Sequence, residues 1–147
     1  MSLQDKIMQD TKDAMKARDS VKLVTLRMVR AQMKDFQISK GEELTPDDEI
    51  AVLTNAAKKR REAIEMYEKS DRDDLLAKEK QELEIISAYL PEQLGEEEIG
   101  KIVSEVVSQV GASSAQDIGK VMGAVMGRLK GKADGKLVQE IVRKKLS

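Results

Sequence analysis

Apolar residues in this chain recur at three- and four-residue intervals from one end to the other, and no run keeps the period-two alternation of a half-buried strand. The chain is therefore expected to be all-α. Its apolar 40% is almost wholly aliphatic, because Phe36, Tyr67 and Tyr89 are the only aromatic residues among 147. Any core must be built from Leu, Ile, Val, Met and Ala on helix faces, with the charged 36% on the opposite sides.

The spacing predicts seven helices. Ser2 and Asp5 form a capping pair ahead of a first helix that carries Leu3, Ile7, Ala14 and Met15 and ends near Arg18. A second, about Ser20 to Ser39, spreads Val24, Leu26, Met28, Val29, Ala31, Met33 and Phe36 over more than half its circumference, as in a helix central to a bundle or against a second subunit. Thr45-Pro46-Asp47-Asp48-Glu49 starts a third, which runs to about Lys69. Ser70 or Asp71 caps a fourth through Leu75, Leu83 and Ile86 to Leu90, where Pro91 excludes its predecessor from helical geometry. We place a domain boundary there, with an N-terminal four-helix domain over 1–90 and a small three-helix domain over 91–147. In the second, Ile102, Val103, Val106, Val107 and Val110 form one helical face ended by Gly111, Ser113 or Ser114 opens a helix to about Lys130, and Asp134 caps the last.

The chain has neither Cys nor His. Thiolate nucleophiles, disulfides, Cys-ligated metals and the side chain that titrates nearest neutrality are all excluded, which disfavours an enzyme. Scarce aromatics argue against base-stacking on single-stranded RNA. No apolar run approaches the roughly 20 residues that span a bilayer, and the N-terminus does not read as a secretion signal, so the expectation is a cytoplasmic protein without a membrane partner. The acidic pairs, Glu42-Glu43, Asp47-Asp48, Asp73-Asp74 and Glu96-Glu97-Glu98, stand at helix starts and in loops, where capping explains them. None is assigned to catalysis, a metal or a cofactor.

Net charge is -1, but it is unevenly distributed: residues 1–90 carry -2, residues 91–118 carry -5, and residues 119–147, with eight basic and two acidic side chains, carry +6. A positive end of this kind is either an anion or nucleic-acid footprint or the solvated faces of two helices. Gly119, Gly123 and Gly127 recur every fourth residue within the predicted sixth helix, where each costs about 1 kcal/mol relative to Ala. Close packing of another helix is the favoured explanation, and close approach of a nucleic-acid backbone flanked by Lys120 and Arg128 the alternative. Gly131-Lys132-Ala133-Asp134-Gly135-Lys136 fails the phosphate-loop pattern, with three residues between its glycines and Leu137 after Lys136. It reads as an Asp134-capped turn beside which Lys130, Lys132 and Lys136 are expected to contact phosphate. Lys58-Lys59-Arg60-Arg61 fans around its helix and reads as a solvated, salt-bridged face. Arg27, Arg30 and Lys34, at i, i+3 and i+7, make a better patch unless neighbouring acidic helices neutralise it.

The segments Ser87-Ala88-Tyr89-Leu90-Pro91-Glu92-Gln93-Leu94, Gly111-Ala112-Ser113-Ser114, Gly119-Lys120-Val121-Met122-Gly123-Ala124-Val125-Met126 and Gly131-Lys132-Ala133-Asp134-Gly135, together with Leu26-Arg27-Met28-Val29-Arg30, resemble the YqeY proteins of the GatB/YqeY family. The resemblance covers essentially the whole chain. It implies a helical N-terminal domain and a C-terminal domain similar to the tail of the B subunit of the tRNA-dependent amidotransferase, which converts Glu-tRNA(Gln) or Asp-tRNA(Asn) to the amidated form. That tail contacts the outer corner of tRNA. Carried over, the implied contact surface is Gly119, Lys120, Gly123, Lys130, Gly131, Lys132 and Lys136, to which the charge pattern adds Arg128. The catalytic body of the B subunit has no counterpart in 147 residues.

Three functions remain. The leading one is a non-catalytic tRNA-associated accessory protein, with amidotransferase subunits or aminoacyl-tRNA synthetases as further partners. The second is a helical protein-protein adaptor working through the wide apolar arc of the second helix. The third is an amidotransferase-like carbon–nitrogen ligase component using glutamine as amide donor.

Overall fold

The computed structural model describes residues 2–147. They form seven α-helices and no strand, and the chain gathers into two compact units, residues 1–90 and 91–147. None of these helices is long and apolar enough to cross a membrane.

In the first unit the helices are α1 (Leu3–Lys16), α2 (Ser20–Lys40), α3 (Pro46–Glu68) and α4 (Asp73–Ser87). Reciprocal capping boxes open α1, from Ser2 and Asp5, and α3, from Thr45 and Asp48. The Lys40 ammonium and the Thr45 N–H both bond the Asp48 carboxylate, and they hold it below the usual carboxylate range. Gly41 closes α2 at a φ of +78°, which only glycine adopts without strain. α1 packs along α2, α3 along α4, and α2 against both α3 and α4 around Ile7, Leu26, Val29, Met33, Leu53 and Ile86. Each such side chain, fully withdrawn from water, contributes roughly 1.5–3 kcal/mol.

Three expectations need correction in this unit. Ser70 and Asp71 do not cap the fourth helix: Ser70 donates to the Tyr67 carbonyl, Asp71 takes a left-handed φ of 55°, and Arg72 precedes α4 without a side-chain cap. That helix also stops at Ser87 rather than Leu90. Tyr89 and Leu90 bond back three residues, to Ile86 and Ser87, as the chain turns to bury the Tyr89 ring. The Tyr89 hydroxyl donates to the Asp10 carboxylate of α1 at 2.5 Å, and the Lys6 ammonium lies 5.8 Å from the ring centroid. Burial, then the Asp10 carboxylate, raises the phenol above its ordinary range.

The third correction concerns the basic run at 58–61. Arg60 is not solvated: only 6% exposed, it meets the buried Glu82 of α4 at 3.3 Å, and its Nη2 lies 2.8 Å from the Met28 sulfur of α2. Helix geometry alone placed Arg60 on a wet face. The neighbouring α4 supplied a buried carboxylate that pulled it inward.

In the second unit α5 (Glu96–Val110), α6 (Ile118–Arg128) and α7 (Gly135–Leu146) pack pairwise around Ile99, Val103, Val106, Val121, Val125 and Val142. Gly111 ends α5 at a φ of +69°. Ser114 opens one turn of 3₁₀ helix, Ala115–Asp117, that leads into α6. α6 ends at Arg128, two residues before the expected Lys130, because the chain turns once Leu129 has entered the core.

Truncating Arg60 strands the Glu82 carboxylate beside Glu79, whose own carboxyl burial and Glu82 already push up. Arg60→Ala is expected to lower stability by about 3–5 kcal/mol, read as a fall in the urea midpoint. The double replacement Arg60→Met with Glu82→Leu should recover most of that loss. An unchanged midpoint in the single variant would refute the buried pair.

Candidate nucleic-acid interface

The positive C-terminal segment comprises α6, the link 129–134 and α7. One side of α6 is fastened to the core by Val121 and Val125, with Ile118, Met122 and Met126 beside them. At 100° per residue the opposite side is Gly119, Gly123 and Gly127. All three are exposed, and a Cβ built on any of them would meet nothing within 4 Å. The expected close packing of a helix against these glycines is therefore wrong. The core of this unit needs only one face of α6, so the other is left as bare backbone in solvent.

Lys120 stands beside that bare strip. Its ammonium reaches the Val110 carbonyl at 3.4 Å, where the negative end of α5 attracts a cation. Before it, Asp117 accepts the Ser113 and Ser114 N–H groups, which hold its carboxyl below the usual range, helped by Lys120. Arg128, at the far end of α6, pairs with Glu105 of α5 at 3.0 Å. Both partners are largely exposed, so the pair is worth about 0–1 kcal/mol and does not lock the guanidinium away from another anion.

The link is rigidly tied. Leu129 and Ala133 are buried, Gly131 takes a left-handed φ of 70°, and its carbonyl accepts the Gln93 side-chain amide at 2.6 Å. The Lys132 N–H donates to Leu129 and its carbonyl accepts the Leu94 N–H, while its side chain stays exposed like those of Lys130 and Lys136. Asp134 caps α7 by accepting the Lys136 N–H, so a carboxylate already occupies the donors that a phosphate would use there. Gln93 carries no chemical signature in the sequence, since only the fold brings its amide to Gly131.

The sequence-predicted residues thus lie on two stretches of backbone, α6 and the link with the first turn of α7. Gly119, Lys120 and Gly123 share the first half of α6, whereas Lys130, Gly131, Lys132 and Lys136 lie on the link and the first turn of α7. Ten residues separate Lys120 from Lys130, about 15 Å if wholly helical. Basic residues at the other end of α7 serve a different surface, because a groove of about 700 Å³ between α5 and α7 sets Lys101, Lys144 and Lys145 against Glu96, Glu97 and Glu105. Its charges balance. Among the described residues no group of three or more acidic side chains converges as a metal site.

A family model described as Yqey-like protein matches residues 4–146. Two similar relatives carry the name Altered inheritance of mitochondria protein 41, mitochondrial. The one from Eremothecium gossypii is 36% identical over 85 residues, 56% of this chain and 45% of the relative. The one from Vanderwaltozyma polyspora is 34% identical over the same shares. A third, Uncharacterized protein C22F3.15 of Schizosaccharomyces pombe, is 32% identical over 62% of this chain and 74% of its own length. The matches span less than half of the first two relatives. Their mitochondrial names overturn the expectation of a cytoplasmic protein. That expectation rested on the lack of a membrane-spanning apolar run and of a secretion signal, and neither observation distinguishes the cytoplasm from a mitochondrial compartment.

With no neighbour to strike, a methyl group on the bare face of α6 restores helix propensity and nothing else. Gly123→Ala is expected to stabilise the protein by about 0.5–1 kcal/mol, seen as a rise in Tm. A fall in Tm would show that the face is packed after all.

Proposed function

The chain belongs to the Yqey-like family, and from that premise we propose that it is a non-catalytic RNA-binding accessory protein whose unit 91–147 acts as a domain holding structured RNA, of the tRNA class, by phosphate and shape contacts. The observation that carries this is that Lys120, Lys130, Lys132 and Lys136 are exposed on α6, the link and the first turn of α7, in the same stretch of chain as a strip of helix without side chains. Phosphates repel one another and follow a curved surface, so exposed cations together with a bare helix face suit a backbone that must approach closely. Scarce aromatics are consistent with this mode, which reads shape rather than stacked bases. Protein partners such as amidotransferase subunits or aminoacyl-tRNA synthetases would meet the protein on that RNA.

The test is filter binding of tRNA at two salt concentrations. Affinity is expected to fall steeply with salt, and replacing Lys120, Lys130 and Lys132 together by Ala should flatten the log–log salt slope by about 0.7–0.9 for each phosphate left unneutralised. Lys120→Arg, which preserves the cation beside Val110, controls for folding. Gly123→Ala should bind more weakly while being more stable, a combination that separates backbone approach from packing. No salt-sensitive binding at low salt would sink the proposal.

A second reading, a protein-protein adaptor, draws on α2, which leaves Val24, Phe36 and Ile38 at 53%, 40% and 68% exposure. It expects self-association, measured as a dimer mass by light scattering that Ile38→Glu returns to monomer.

A further inference from the structure

The first unit holds a second concentration of positive charge. Arg27, Arg30 and Lys34 fall within about 60° on one stripe of α2, and they line a cleft of about 420 Å³ between α1 and α2. Gln4 and Met8 of α1 and Met33 and Gln37 of α2 complete the lining, so no carboxylate faces the cleft although the chain has 27 Asp and Glu against 26 Lys and Arg. Neighbouring acidic helices do not neutralise the stripe: like most Lys and Arg side chains among the described residues, none of the three cations has an ion-pair partner. Glu49 comes near, accepting the Gln4 N–H at 2.7 Å, but its carboxylate is buried and aimed at the start of α1. Lys34 also borders a shallower groove with Glu42 and Glu43 and pairs with neither.

Like charges at i, i+3 and i+4 destabilise a helix, so this stripe costs the fold stability and makes no ion pair in return. We propose that the α1–α2 cleft is a binding site for a ligand of nucleotide size, in which Arg27 and Arg30 grip the phosphate and Lys34 adds charge at the rim. Two guanidinium forks match phosphate oxygens in pairs, which a point charge does not. Gln4 and Gln37 offer amides that donate and accept, and the thioether of Met8, 42% exposed above the buried Met33, forms an adaptable apolar wall for a sugar or base. The volume lies within the range of small-molecule sites. The phosphate is that of a free nucleotide or of an RNA strand, and the site does not depend on the function proposed for residues 91–147.

The experiment is a titration of the full chain, followed by amide NMR shifts, with ADP in one arm and a short single-stranded RNA in the other. Saturable, salt-sensitive shifts confined to Gln4–Met8 and Arg27–Gln37 are expected with ADP. The double variant Arg27→Gln, Arg30→Gln should weaken binding about tenfold or more, with a Tm that is unchanged or higher because repulsion along α2 is relieved. RNA that displaces ADP, and is itself weakened by the double variant, assigns the phosphate to RNA, whereas RNA that leaves ADP in place assigns it to a free nucleotide. The Lys120, Lys130 and Lys132 triple variant should bind ADP normally, which separates this site from the other unit. Absence of saturable shifts in the cleft with either probe, equal binding by the double variant, or a marked loss of Tm in that variant would overturn the proposal.

Discussion

Helix packing in this protein depends on burying aliphatic stripes with almost no large rings to fill gaps, Tyr89 of the first unit being the one ring among the described buried core residues. A core of Val, Ile, Leu and Ala closes only where helices approach closely, and small branched side chains interdigitate over one face of each helix. This constraint is clearest in residues 91–147, where three helices of 15, 11 and 12 residues share one core. So small a core occupies one side of α6 and no more. The opposite side, where side chains would add nothing to packing, is where the glycines stand, and the exposed surface of the unit follows from how little its interior requires.

The same economy governs the polar groups. Buried ionised groups are few and each is bonded, Arg60 to Glu82 and Glu49 to the Gln4 N–H at the start of α1, while the neutral Tyr89 hydroxyl donates to the half-buried Asp10. Each joins elements distant in the chain, so each fixes the alignment of helices that aliphatic contacts alone would let slide. Outside the core the pattern reverses. Arg27, Arg30 and Lys34 stand without an ion pair on one stripe of α2, and exposed lysines gather along the last third of the chain.

Helix positions were largely legible because their signals are local. Thr45 and Asp48 form a capping box with Pro46 at the first helical position, and Gly111 ends α5 by a conformation other residues resist. The end of α4 was not legible, since Pro91 marks where a helix must have stopped and the earlier stop at Ser87 comes from the burial of Tyr89 against α1. The candidate interface was legible in composition but not in arrangement. A count of lysines cannot tell that Asp134 already fills the start of α7, that Arg128 turns to Glu105, or that Gln93 fastens Gly131.

By itself the sequence determined the all-α class, the order of the helices, several of their caps and the family, because all of these depend on residues within a few positions of one another or on ordered local motifs. Only the tertiary structure decided which face of each helix met a partner. It left Gly119, Gly123 and Gly127 in the open, drew Arg60 inward, and kept carboxylates away from Arg27 and Arg30. Those outcomes depend on which helix lies alongside, and periodicity along one helix carries no information about the charge and shape of its neighbour.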